Sequence, residues 1–119
     1  MLIKILIVED NEDCCTLLKE FLKRSFPKAI IEHTISARIA LNKMSDTFFD
    51  LVFSDMGLID PFIGGASVVK YANEMGSYTV LYSGADVEKE EKPDFVLSKP
   101  FILAHYLLMI SAFGSRILS

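Results

Sequence analysis

The stretch that decides the fold is Leu51-Val52-Phe53-Ser54-Asp55, an uncharged run that ends in a carboxylate. A continuous apolar run bounded by polar residues is typical of a strand that is covered on both faces. Such strands belong to parallel sheets with helices above and below. In open sheets of this kind, ligands bind outside the carboxyl ends of the strands. Asp55 is therefore the first candidate for a functional residue.

Three more segments share this pattern of an apolar run that ends in polar residues. They are Lys4 to Val8 before Glu9-Asp10, Tyr78 to Tyr82 before Ser83-Gly84, and Phe95 to Ser98 before Lys99-Pro100. If these strands are parallel neighbours, their carboxyl ends lie at the same edge of the sheet. We expect three carboxylates, one hydroxyl and one ammonium group to meet there, from Glu9, Asp10, Asp55, Ser83 and Lys99.

Amphipathic segments separate the strands and predict an α/β fold with a parallel sheet. We expect a first helix capped by Asn11 or Asp13, with Cys14 among its apolar positions, and a short strand over 29–33. A second helix begins after Ser36, and a third is stopped by Gly76. Residues 101–113 carry no formal charge and are too few for a membrane span, so they predict a buried helix that ends at Gly114-Ser115-Arg116.

The composition limits the classes of function. At 119 residues and 13.3 kDa we expect one domain over 1–119 and no separate output domain. A net charge of −4 argues against a nucleic-acid binder, which needs a basic face. The apolar residues 1–8 are too short for a signal peptide. Cys14 and Cys15 are adjacent, poorly placed for a mutual disulfide, and suit a reducing cytoplasm. We expect a cytoplasmic protein without a membrane segment.

The expected acidic cluster needs positive charge. Two carboxylates roughly 4 Å apart repel by about 4 kcal/mol at an effective dielectric of about 20, which is large for a small domain. Lys99 can neutralise one charge and a divalent cation the rest. Carboxylate oxygens without histidine or thiolate select a hard ion, and Mg²⁺ is the natural candidate. The set suits phosphoryl transfer, with Asp55 as the nucleophile and with Lys99 and the Ser83 hydroxyl each holding a phosphoryl oxygen.

In their order and spacing these residues resemble the receiver domains of two-component response regulators. The matching residues are Val8-Glu9-Asp10-Asn11, Asp55, Ser83-Gly84 and Lys99-Pro100-Phe101. The resemblance covers essentially the whole chain. It implies a flavodoxin-like, doubly wound sheet of five parallel strands in the order 2-1-3-4-5, and a cis peptide bond between Lys99 and Pro100.

The resemblance also implies a chemistry. Asp55 would be phosphorylated by a sensor histidine kinase or a histidine phosphotransfer protein. Mg²⁺ would be bound by Asp10, Asp55 and the main-chain carbonyl of Gly57, and Glu9 would reach the ion directly or through water. Any enzymatic activity would consist of self-catalysed phosphotransfer and hydrolysis of the aspartyl phosphate.

The chain departs from the family pattern at three places. Ile59-Asp60 before Pro61 looks like a two-residue insertion after the phosphorylation site. The connection from Ser83 to the last strand is short, so we expect the helix between the fourth and fifth strands to be shortened or absent. Val96 stands where receivers commonly carry a Tyr or Phe that swings inward upon phosphorylation.

Two hypotheses about function follow. In the first, the chain is a stand-alone receiver that accepts a phosphoryl group on Asp55 and signals through a partner surface that depends on phosphorylation. In the second, it is a degenerate receiver that acts as an interaction or dimerisation module without a working switch. The region between the fourth and fifth strands and the uncharged last helix would contact a second copy or a partner protein.

Overall fold

The computed structural model describes residues 2–55, 64–83 and 92–118. Within these ranges the chain forms five strands and four helices. The strands are β1 (Lys4–Val8), β2 (Ile30–Thr34), β3 (Leu51–Ser54), β4 (Tyr78–Ser83) and β5 (Phe95–Ser98). The helices are α1 (Glu12–Ser25), α2 (Ala37–Asp46), α3 (Gly65–Glu74) and α4 (Leu103–Ile117). The expected insertion at Ile59-Asp60 and the expected shortened helix between β4 and β5 lie outside the described residues.

The five strands form one parallel sheet in the order β2-β1-β3-β4-β5, as predicted. In this register Val8 of β1 pairs with Thr34 of β2 on one side and with Ser54 of β3 on the other. Ser83 pairs with Ser98 at the far side of the sheet. The last residues of all five strands therefore lie at the same edge, and the polar residues that follow them are brought together.

Two hydrophobic clusters cover the opposite faces of the sheet, because successive strand residues point to opposite sides. The first cluster joins the sheet to α1 and α4 and includes Ile5, Ile7, Leu18, Leu22, Phe53, Tyr78, Val80, Tyr82, Leu97, Tyr106, Met109 and Phe113. The second cluster joins the sheet to α2 and α3 and includes Leu6, Val8, Ala40, Met44, Val52, Val68 and Ala72. The sheet is thus covered on both faces, as its uncharged strands predict.

The helix ends follow the predicted capping residues. The Asn11 side chain accepts a hydrogen bond from the Cys14 backbone N–H at 2.9 Å, so Asn11 caps α1 and Asp13 lies inside the first turn. Ser36 caps α2 by accepting from the Ile39 N–H at 3.3 Å. After α3, Gly76 has a φ of 87°, a left-handed conformation that glycine adopts without steric cost.

The apolar position predicted for Cys14 on α1 is confirmed in part, since Cys14 packs against the first cluster. Cys15 is the core cysteine, with 3% of its surface exposed, while Cys14 is only partly buried. The buried residues of α1 are Cys15, Leu18 and Leu22, which recur at three and four. Cys14 precedes this stripe by one residue and therefore lies on its flank.

The prediction that the last helix is buried is confirmed for its inner side and is wrong for its outer side. The buried residues of α4 are Tyr106, Met109 and Phe113, again at spacings of three and four. The outer side carries Leu107 and Leu108 with 53% and 60% of their surfaces exposed. The helix continues to Ile117, one residue beyond the predicted end at Gly114-Ser115-Arg116. Among the described residues, no helix has the length and apolar character needed to cross a membrane.

Candidate functional site

Three charged residues come directly after strands at the carboxyl edge of the sheet: Glu9 after β1, Asp55 after β3 and Lys99 after β5. Each stands two residues after a member of the first hydrophobic cluster. Because strand side chains alternate, all three are carried toward the same face of the sheet, the face that α1 and α4 cover. The alternation that buries the core thus also aims these three charged groups at one another.

Lys99 lies at the centre of the group. Its Nζ is 2.5 and 2.7 Å from the two carboxylate oxygens of Glu9, and 3.3 Å from Oδ1 of Asp55. Glu9 and Asp55 expose only 1% and 8% of their surfaces. One ammonium group therefore contacts two buried carboxylates. Removal of the ammonium would leave the carboxylates without a compensating charge, and removal of the carboxylates would leave the ammonium without one.

Asp10 brings a third carboxylate to the same place. One oxygen atom from each of Glu9, Asp10 and Asp55 lies within 4.8 Å of the others. With Lys99 included, the group has three negative charges and one positive charge. Oxygen donors at about this spacing fit a small hard cation, since the ligands of octahedral Mg²⁺ at about 2.1 Å are themselves roughly 3–4 Å apart. Both oxygens of Glu9 contact Lys99.

The pKa shifts have the causes expected of this charge balance. Burial raises the pKa of Glu9 to about 7, the neighbouring Asp55 adds to the effect, and the contact with Lys99 opposes it. Burial by itself would lower the pKa of Lys99, but its contacts with Glu9 and Asp55 outweigh burial and the pKa is raised. Both groups hold a proton more tightly than in water, Glu9 mainly because it is buried and Lys99 because two carboxylates contact it.

Ser83 and Lys99 are adjacent across the two last strands. The backbone N–H of Lys99 donates to the carbonyl of Ser83 at 3.0 Å, and Ser83 is 7% exposed. The Lys99–Pro100 peptide bond is cis, as expected from the resemblance. Gly57, the remaining residue of the predicted metal site, lies outside the described residues.

Two residues that the sequence did not single out belong to the site. The ring of Tyr82 lies under Lys99, with Nζ 4.9 Å from the ring centroid. His33 of β2 donates from Nε2 to the main-chain carbonyl of Glu9 at 2.8 Å and so fixes the backbone before Asp10. The available signal for Tyr82 was its position directly before Ser83. The contact between His33 and Glu9 depends on the pairing of β2 with β1, which the sequence of β2 alone does not specify.

An apolar groove of about 300 Å³ opens beside Lys99 on the α1 side of the site. It is lined by Asp13, Cys14, Leu17, Tyr82, Lys99 and Pro100. On the opposite side of β5, Val96 is 41% exposed, and the aromatic Phe95 next to it packs against the first cluster. The position at which receivers commonly carry a switching aromatic is therefore aliphatic and exposed in this chain.

Known proteins resemble the chain in structure. No family sequence profile matches it, and no curated protein sequence matches it. A CheY-like response regulator receiver domain from Methylobacillus flagellatus is 29% identical, with a TM-score of 0.76 over 95% of this chain and 99% of that one. A two-component response regulator from Clostridium difficile is 23% identical, with a TM-score of 0.82 over 98% and 99%.

A response regulator from Burkholderia pseudomallei is 17% identical, with a TM-score of 0.75 over 98% of this chain and 71% of that one. That protein was crystallised with a phosphorylated aspartic acid, a calcium ion and citrate. The strand order of the present chain, the acidic cluster at the carboxyl edge of its sheet and these similarities lead to one conclusion: the chain has the CheY-like fold of response regulator receiver domains.

Proposed function

We propose that residues 1–119 act as one receiver domain that accepts a phosphoryl group on Asp55 in a Mg²⁺-dependent reaction. The donor is the phosphohistidine of a sensor histidine kinase or of a histidine phosphotransfer protein. The observation that supports this proposal most directly is the ammonium of Lys99, held 2.7 Å from Glu9 and 3.3 Å from Asp55 next to a third carboxylate. A site with three acids and one cation is suited to bind a metal and a phosphoryl group together.

Asp55 is the nucleophile. One of its carboxylate oxygens forms the new bond to phosphorus while the bond from phosphorus to the histidine nitrogen breaks, and the imidazole leaves with a proton from solvent. Lys99 then donates to a phosphoryl oxygen, and the Ser83 hydroxyl donates to another. The low exposure of Asp55 and Ser83 supports this assignment because hydrogen bonds to charged oxygens are stronger where water is excluded.

Asp10, Asp55 and the main-chain carbonyl of Gly57 are the proposed ligands of Mg²⁺. Glu9 completes the site through a water molecule, a role favoured by the contact of both its oxygens with Lys99. When bound, the ion supplies positive charge to the phosphoryl oxygens. The calcium ion and phosphorylated aspartic acid found in the Burkholderia protein are consistent with such a site.

Intact-mass measurement after incubation with Mg²⁺ and acetyl phosphate tests the proposal. We expect a mass gain of one phosphoryl group that requires Mg²⁺ and is lost in Asp55→Asn. The matched control is Asp50→Asn, an equivalent change at the other end of β3, where Asp50 accepts from the Lys4 N–H at 2.9 Å. A wild-type protein that is folded yet gains no mass, and does not respond to beryllofluoride and Mg²⁺, would contradict the proposal.

A second function is favoured by the outer side of α4 and by the exposed Val96. The exposed residues are Ile102, Leu103, Leu107 and Leu108, each 53% to 60% exposed. Apolar patches of this kind mark contact surfaces. A degenerate receiver would use this surface, together with the region between β4 and β5, to bind a second copy or a partner protein without a working switch.

Sedimentation of the protein over a range of concentrations distinguishes the two functions. Under the second, self-association or partner binding is unchanged by beryllofluoride and is abolished by Leu107→Glu. Under the first, self-association or partner binding changes when beryllofluoride is bound at Asp55.

We place the protein in the cytoplasm, as its two free thiols suggest, and the net charge of −4 favours a protein partner over nucleic acid.

A further inference from the structure

Tyr82 is the aromatic residue beside the proposed phosphorylation site. It is 1% exposed, and its ring centroid lies 4.9 Å from Nζ of Lys99. Cys14 on α1 lines the same groove as Tyr82, and the ring of Tyr82 packs against Phe101 with the centroids 6.1 Å apart. Strand, helix and neighbouring ring thus fix the position of Tyr82 on three sides.

The side chain of Lys99 needs such a support. A lysine has a flexible four-carbon stem and a strongly hydrated ammonium group, so it reaches toward water unless something holds it. Water is near, because the groove of about 300 Å³ adjoins Lys99. The ring of Tyr82 forms part of the wall of that groove. A cation within about 6 Å of an aromatic centroid is attracted to the ring face, most strongly where water is excluded.

We propose that Tyr82 is a positioning residue: its buried ring holds the ammonium of Lys99 toward Glu9 and Asp55 and keeps it out of the adjoining groove. The inference rests on the proposed function, since Lys99 must be in place when the phosphoryl group arrives. An aromatic face attracts a cation without selecting one oxygen as its partner. The ring therefore permits Lys99 to turn from Glu9 to a phosphoryl oxygen while it remains in the site.

Tyr78 provides a matched control on the same strand. It lies four residues before Tyr82, faces the same hydrophobic cluster, and is 7% exposed. It also carries a cation over its ring, since Cζ of Arg116 is 5.5 Å from its centroid. Tyr78 lies at the opposite end of β4, so its truncation removes a similar core volume without touching Lys99.

The experiment compares Tyr82→Phe, Tyr82→Leu and Tyr78→Leu. The first readout is the proton shift of the Lys99 side-chain methylene next to the ammonium, measured by NMR in the unphosphorylated protein. We expect an upfield shift in the wild type relative to the exposed Lys23, its retention in Tyr82→Phe and Tyr78→Leu, and its loss in Tyr82→Leu.

The second readout is the rate of phosphorylation by acetyl phosphate. We expect Tyr82→Leu to be slowed roughly fivefold to thirtyfold, the change that corresponds to a desolvated cation–π contact. Tyr82→Phe should keep the wild-type rate within about twofold, since it retains the ring. A rate in Tyr82→Leu equal to that of Tyr78→Leu would overturn the proposal, as would an unshifted Lys99 methylene in the wild type.

The two readouts separate this inference from the function on which it rests. If the wild type shows the shifted methylene but accepts no phosphoryl group, the phosphoacceptor function fails and the positioning of Lys99 by Tyr82 stands. If Tyr82→Leu does not fold, the positioning of Lys99 by Tyr82 is tested by the methylene shift of Lys99 in the wild type and by the phosphorylation rate of Tyr82→Phe. An upfield shift with an unimpaired Tyr82→Phe supports the proposal, and a missing shift refutes it.

Discussion

Replacement of Lys99 by methionine tests the charge balance of the site. The change keeps an unbranched side chain but leaves Glu9 and Asp55 buried beside each other without a cation. At an effective dielectric of about 20, separations of 2.7 and 3.3 Å correspond to gross attractions of about 6 and about 5 kcal/mol. The cost of burying the ammonium opposes these attractions, so we expect Lys99→Met to lower the free energy of unfolding by about 3–5 kcal/mol.

The assay is urea unfolding followed by circular dichroism, with EDTA present so that no divalent cation replaces the ammonium. The matched control is Lys43→Met, because Lys43 pairs with Glu32 at 2.9 Å where both side chains are about one third exposed. That pair should contribute only about 0.2–1 kcal/mol. If the loss is caused by uncompensated charge, adding Glu9→Gln to Lys99→Met should restore most of it. Equal losses in the two lysine variants would refute the reasoning.

Three further predictions concern stability. Asn11→Ala should cost about 1 kcal/mol in urea unfolding by removing the cap of α1, and an unchanged midpoint would contradict that role. Met109→Ala should cost about 2–5 kcal/mol and Leu108→Ala less than about 0.5, because only the first leaves a core cavity; similar losses would refute the assigned faces of α4. Burial raises the pKa of Tyr106, so its stabilising effect is complete below its unfolded pKa of about 10 and is lost as pH rises further. Tyr106→Phe, which also removes a 2.7 Å hydrogen bond to Ser25, should therefore cost about 1 kcal/mol near neutral pH and show less alkaline loss, whereas parallel pH profiles would contradict the assignment.

The sheet was predictable because its strands carry two independent signals. Leu51 to Ser54 are uncharged throughout, which indicates burial on both faces, and a polar residue follows each strand at the same relative place. Parallel strands share one carboxyl edge, so this pattern also predicts that Glu9, Asp10, Asp55 and Lys99 lie near one another. Local chain chemistry was sufficient for the cap at Ser36, and it left Asn11 and Asp13 as alternatives for the cap of the first helix.

The errors have a different origin. Cys14 and Cys15 are chemically identical, so the sequence could not show which of them continues the stripe of Leu18 and Leu22. In α4 both sides of the helix are apolar, so the usual contrast between an inner and an outer face is missing. The contact of Tyr82 with Lys99 depends on how β4 and β5 pair, and that register is a tertiary property.

Because Lys99 contacts both oxygens of Glu9, its ammonium group would have to pair with Glu9 in one state of the protein and with a phosphoryl group in the other. In the unmodified protein the ammonium group of Lys99 donates hydrogen bonds to both carboxylate oxygens of Glu9. A phosphoryl group on Asp55 would compete with Glu9 for that ammonium, and the carboxylate of Glu9, which is 1% exposed, would keep only its water-mediated contact with the metal ion. The lost contact would thus destabilise the phosphorylated protein relative to the unphosphorylated protein, and Glu9 would shorten the lifetime of the phosphoryl group. On this reasoning Glu9→Gln should prolong the lifetime of the phosphorylated protein.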